Sequence, residues 1–136
     1  IGELMVPRLE ALAERTGRPT MWLLPHFVGL EWAAPALMLF QQRPAVDIYQ
    51  AQSNPVLDAR VLAGRLRFGE PQRSRLVSRA EGIRPVMRLI KEGYGFVNAP
   101  DMDFGPRDSA FVPFFGVQTC TLLAPSRMAR SMKLRP

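Results

Sequence analysis

Thr20-Met21-Trp22-Leu23-Leu24-Pro25-His26-Phe27-Val28-Gly29-Leu30-Glu31-Trp32 is the stretch on which the reading of this chain turns. The apolar run from Met21 to Leu24 reads as a short buried strand, and Pro25 stops it. His26, the only histidine of the sequence, follows at the strand's C-terminal end. Gly29-Leu30-Glu31-Trp32 then opens an apolar stretch that reads as a helix. Within a helix, positions five apart sit about 140° apart around the axis. Within a strand they point to opposite faces. His26 and Glu31 are therefore expected to meet only at a strand-to-helix corner, with Glu31 in the first helical turn. There the carboxylate would accept the N–H of one ring nitrogen and leave the other nitrogen as a base. The spacing alone is weak. With 12 acidic residues in 136, one falls five places after a given residue roughly one time in eleven, and a lone histidine is more often structural than catalytic.

Outward from this stretch the chain alternates. Residues 3–15 carry Met5, Leu9, Leu12 and Ala13 at helical spacing, with Pro7 early in the helix. Residues 30–41 read as a buried helix bent or restarted near Pro35. Residues 45–51 read as a strand. Asn54-Pro55 is a helix start, with Asn as N-cap and Pro at the first helical position, and Gly69 is its expected stop. Residues 70–75 read as a polar loop and Leu76-Val77 as a minimal strand. Residues 78–92 read as helix from Ile83, Val86, Met87 and Ile90, with Ser78 and Glu81 at capping-box spacing; Pro85 conflicts with that unless the helix begins near Ile83. Tyr94 to Ala99 reads as a strand, 100–108 as a long turn, Phe111 to Phe115 as an apolar run, and 121–132 as helix. This order predicts an α/β fold, a mostly parallel or mixed sheet flanked by helices, in one domain spanning 1–136.

Composition narrows the class. The hydrophobic fraction is 47% and the charged fraction 22%, ordinary for a globular protein. No apolar run reaches the roughly 20 residues a membrane span needs, and no signal-peptide pattern is visible at the first residues. The single Cys120 excludes an internal disulfide. One His, one Cys and scattered carboxylates offer no metal-ligand spacing, and no cofactor is expected. Net charge is +6, with Lys91 and Lys133 the only lysines among 18 basic residues. Arginine in such excess suits phosphate or carboxylate partners: nucleic acid, an anionic membrane surface or an acidic protein. A nucleic-acid-binding module is the alternative this charge raises, but aromatic residues do not interleave with the basic ones as a stacking platform requires.

A second constellation lies near residue 100. Ligands of such sheets usually bind beyond the carboxyl ends of the strands, where His26 ends one expected strand and Asp101 and Asp103 end another. Gly105-Pro106 would present Arg107 as a phosphate fork; a solvated acidic turn, with Arg107 neutralising Asp103 or Asp108, is the plainer alternative.

Taken in order, His26-Phe27-x-x-x-Glu31, Asn54-Pro55-x-x-Asp58, Gly64-Arg65, Lys91-Glu92-Gly93, Pro100-Asp101-x-Asp103-Phe104-Gly105-Pro106-Arg107 and Phe111-Val112-Pro113-Phe114-Phe115-Gly116 resemble the late acyltransferases of lipid A biosynthesis, the lauroyl/myristoyl transferases of Gram-negative bacteria. The last two blocks are the specific ones. The resemblance implies transfer of a fatty acyl chain from acyl carrier protein to a hydroxyl of the Kdo-bearing lipid A precursor, with no acyl-enzyme and no cofactor. It implies work at the cytoplasmic face of the inner membrane. His26 would be the general base and Glu31 its orienting partner. Arg65, Asp101, Asp103 and Arg107 would be substrate-binding, Asp103 with a structural role as its alternative. The acidic carrier protein, the lipid A precursor and the anionic membrane surface would be the partners, and nucleic acid would not. Family members are longer, with an N-terminal membrane anchor and a C-terminal region. The chain is accordingly expected to be a core fragment, possessing the motif residues with or without activity of its own.

Overall fold

A computed structural model describes residues 2–103 and 105–133 of the chain. In order the elements are α1 (Gly2–Glu14), β1 (Met21–Leu23), α2 (Leu30–Phe40), β2 (Ala45–Tyr49), α3 (Pro55–Leu66), β3 (Ser74–Ser78), a 3-10 turn (Arg79–Glu81), α4 (Arg84–Lys91), β4 (Gly95–Asn98), β5 (Ser109–Phe114), β6 (Val117–Leu122) and α5 (Ala124–Ser131). Four strands form a wholly parallel sheet in the order β1-β4-β2-β3, and β5 and β6 form a separate antiparallel hairpin. The α/β class and the largely parallel sheet expected from the alternation are observed.

The sheet order matters more for the site than its strand count. β4, the last of the four in sequence, inserts between β1 and β2. Its register with β1 runs Met21↔Phe96, Trp22↔Val97, Leu23↔Asn98. Residues opposite one another in a parallel ladder share a face, and successive residues alternate. Met21, Phe96 and Val46 thus point the same way, and with Val77, Val86 and Ile90 they form the buried core between the sheet and α4. Asp47 points the other way, flanked across the ladder by Val97 and Leu76.

Local chemistry sets most boundaries. The Asn54 side chain accepts from the Val56 and Leu57 amides at 2.9 and 3.2 Å, and Pro55 opens α3. The Ser78/Glu81 capping box forms, but it caps the 3-10 turn rather than a long helix. Gly82, at φ 74°, reverses the chain there, and α4 restarts at Arg84 with Pro85 in its first turn. The single helix expected over 78–92 is therefore two elements, and the conflict at Pro85 disappears because a first-turn proline has no amide to lose. The minimal strand expected at Leu76-Val77 extends over five residues and takes in Ser74 and Arg75, which were expected in the loop.

The helix expected over 121–132 is present as α5, but it begins three residues later, at Ala124. Residues 117–122 are β6, paired back on β5 with Phe114 opposite Val117. Phe115 and Gly116 make the reversal at φ 50° and 81°, the left-handed pair that two-residue hairpins favour. A phenylalanine in that conformation gives no sequence signal, since the usual residues are Asn, Asp and Gly.

Candidate functional site

The single histidine stands on the corner its sequence called for. β1 ends at Leu23, the Leu24 amide adds one more bond to the Asn98 carbonyl at 2.9 Å, and Pro25 turns the chain out of the sheet. The Leu30 amide bonds back to the Phe27 carbonyl at 3.0 Å, and α2 begins, with Glu31 in its first turn.

The imidazole's partner is not the one expected. His26 Nδ1 lies 2.8 Å from Asp101 Oδ1, and the His26 backbone amide donates to Asp101 Oδ2 at 2.6 Å. Among the described residues no hydrogen bond joins His26 to Glu31. Glu31 instead accepts from Arg65 Nη2 of α3 at 3.1 Å. The ladder explains the exchange. Leu23 faces Asn98, and His26 and Asp101 each follow three residues beyond these strand ends, outside the ladder. The ends of adjacent parallel strands thus start the two segments that bring the imidazole and the carboxylate together. Glu31, carried off at the start of α2, turns towards α3, which packs against it.

Electrostatics follow this arrangement. Desolvation pulls the Asp101 carboxyl upward. The hydrogen bonds from the His26 ring and amide, the carboxylate's own backbone bond and the imidazolium charge outweigh it, and the carboxyl sits below its ordinary value. The His26 side chain is 49% exposed and that of Asp101 35%, so the pair is open to a substrate.

Around it the other expected residues take separate places. Asp103 Oδ1 accepts the Gly105 amide at 2.7 Å and holds the turn, where Gly105 adopts φ 83°. Asp108 pairs with Arg127 of α5 at 3.0 Å. Arg107 is exposed and makes no ion pair with Asp103 or Asp108 among the described residues. Phe104, part of the aspartate-rich block, lies outside the described residues. Asp58, the last residue of the Asn54-Pro55-x-x-Asp58 block, accepts the Gln52 amide at 2.8 Å and the Tyr49 hydroxyl at 3.4 Å, fixing the loop after β2. Desolvation, with the nearby Asp58 and Glu81, raises the Tyr49 hydroxyl's pKa. Among the described residues no cluster of three or more His, Cys, Asp or Glu side chains could hold a metal ion.

Comparison with known proteins supplies the rest. The family model described as bacterial lipid A biosynthesis acyltransferase matches residues 6–135. The chain belongs to that family. It is 33% identical over 129 residues to a lipid A biosynthesis myristoyltransferase of Escherichia coli (strain K12), covering 93% of this chain and 38% of that protein. It is 30% identical over 121 residues to a lipid A biosynthesis acyltransferase of Haemophilus influenzae, covering 89% of this chain and 36% of the relative. A lauroyltransferase of Escherichia coli is 33% identical over 93 residues, 68% of this chain and 28% of its own. The chain thus spans less than two fifths of the length of these relatives. Among the described residues, no helix is long and apolar enough to cross a membrane.

Proposed function

We propose that the whole protein transfers a fatty acyl chain from acyl carrier protein to a hydroxyl of the Kdo-bearing lipid A precursor, with His26 as the general base. Family membership supports the reaction class, and the His26–Asp101 pair beyond the ends of β1 and β4 is the observation that carries the residue assignment. With Nδ1 turned to Asp101, Nε2 is the nitrogen left for substrate. The acceptor hydroxyl gives its proton to Nε2 as its oxygen bonds to the thioester carbonyl carbon. The C–S bond then breaks, an ester remains on the acceptor, and the departing thiolate takes the proton back from the imidazolium. The attacking oxygen belongs to the substrate, so no acyl-enzyme forms and no cofactor is required.

Apolar surroundings suit the acyl chain. Phe27, Val28 and Trp32 are exposed around the corner that bears His26. A cleft of about 300 Å³ runs between Leu9, Leu12 and Ala13 of α1 on one side and Thr20 and β1 on the other. Arg65 and Arg107 are the candidate contacts for phosphate or phosphopantetheine, since a guanidinium fork matches phosphate geometry. The charge of +6 suits an acidic carrier protein and the anionic cytoplasmic face of the inner membrane.

The deciding experiment is His26→Ala in the full-length protein, assayed for transfer from acyl-acyl carrier protein. General-base catalysis is worth about 10²–10⁴-fold, so transfer should fall by at least that while the far-ultraviolet circular dichroism is kept. Undiminished transfer would remove His26 from the chemistry.

A further inference from the structure

We infer that Asp101, rather than Glu31, is the carboxylate that positions His26, and that Glu31 serves instead to hold Arg65. The inference deepens the reading of His26 as base and rests on it. Three observations carry it.

Asp101 grips His26 twice, at ring Nδ1 and at the backbone amide, at 2.8 and 2.6 Å. One carboxylate therefore fixes both where the residue sits and how its ring is turned. A carboxylate bonded to Nδ1 favours the tautomer protonated there, leaving the Nε2 lone pair for substrate.

The grip also follows from the frame. The Leu23–Asn98 register starts the two outgoing segments side by side at the ends of neighbouring strands, and His26 and Asp101 each stand three residues on, in the loop after β1 and the turn after β4.

Glu31, by contrast, is committed elsewhere. Its carboxylate is 76% exposed and its hydrogen bond goes to Arg65, which is itself 41% exposed. This pair joins the start of α2 to the last turn of α3, and it orients a guanidinium rather than an imidazole.

The sole histidine makes the test direct. Nitrogen-15 correlation spectra of this chain should show neutral His26 protonated on Nδ1. Asp101→Ala should move it towards the Nε2-protonated form that free histidine favours. Asp101→Asn, which keeps an acceptor, should retain the Nδ1 proton, and Glu31→Gln should leave the spectrum unchanged. In the full-length enzyme, Asp101→Asn should lower kcat by about 10-fold or more, a fraction of the general-base contribution, with KM little changed. Glu31→Gln should raise KM for the phosphorylated substrates more than it lowers kcat. A spectrum altered by Glu31→Gln but not by Asp101→Ala would overturn the inference, as would an unchanged kcat in Asp101→Asn, a variant that spares the fold should the alanine not. The tautomer is read without turnover. Failure of the acyl-transfer reading would therefore appear separately, as an inactive wild-type enzyme with the Nδ1 proton in place.

Discussion

Asp47 offers a prediction whose sign can be worked through. It lies in the interior strand β2, between Val97 and Leu76, and its Oδ1 takes the Ile48 amide at 2.7 Å. Desolvation dominates; the Ile48 bond and the Arg65 charge oppose it incompletely, and the carboxyl is raised from 3.8 to about 6. A raised carboxyl holds its proton in the folded state where the unfolded chain has already lost it. Between about pH 4 and pH 6 the folded state binds more protons, so stability falls as pH rises through that window and is level above it. At 1.36 kcal/mol per pH unit, the full difference is about 3 kcal/mol, an upper figure for a group with some solvent access. Asp47→Asn keeps an acceptor for Ile48 and removes the titration. Urea unfolding followed by circular dichroism, run at intervals from pH 4 to pH 7.5, gives the stability of each protein. The variant should gain on the wild type by up to about 3 kcal/mol across the window, with the difference constant above it. A difference that does not move with pH would refute the argument, because every other titrating group cancels in the comparison.

Other outcomes follow from the same structure. Glu10 is buried, and its two oxygens accept the Gln42 and Arg43 amides at 2.9–3.0 Å; Glu10→Ala strands both donors and should cost about 2–4 kcal/mol in chemical denaturation. Ile90→Ala, at 1% exposure in the core, should cost about 2–5 kcal/mol by the same measurement. Asn54→Ala removes the α3 cap and should cost about 1 kcal/mol. Because Asp101 is held below its ordinary value, its grip on His26 should be complete above about pH 4 and fade as pH drops through the lowered value; the His26 amide shift, followed by NMR, should show a step in that acidic range that Asp101→Ala abolishes.

Much of the frame could be read from residue order. Asn54-Pro55, the stop at Pro25 and the period of Val86 and Ile90 are local signals, and the elements they announced are present. The corner at His26 was legible for the same reason. What local pattern could not supply was adjacency. Nothing in the order of strands says that β4 lies beside β1, and only that neighbour brings Asp101 to His26. The spacing to Glu31 was visible because it is close in sequence; the bond to Asp101, 75 residues away, was not. Equal offsets of three residues beyond two strand ends would have been the usable clue, once the strands were known to be neighbours. The hairpin β5–β6 was missed because its reversal uses Phe115 where Asn or Asp is the usual sign.

β1 has a single ladder partner and only three paired positions. The His26 imidazole and the Asp101 carboxylate are consequently a gauge of alignment between two chain segments far apart in sequence. A slip of one place along β4 would displace His26 by about 3.3 Å relative to Asp101 and exchange the faces of Met21 and Trp22. That would expel a core side chain in the same motion that broke the pair. The packing of Met21 therefore guards the pairing from a distance: the strand alignment that fills the interior is the same one that starts His26 and Asp101 side by side.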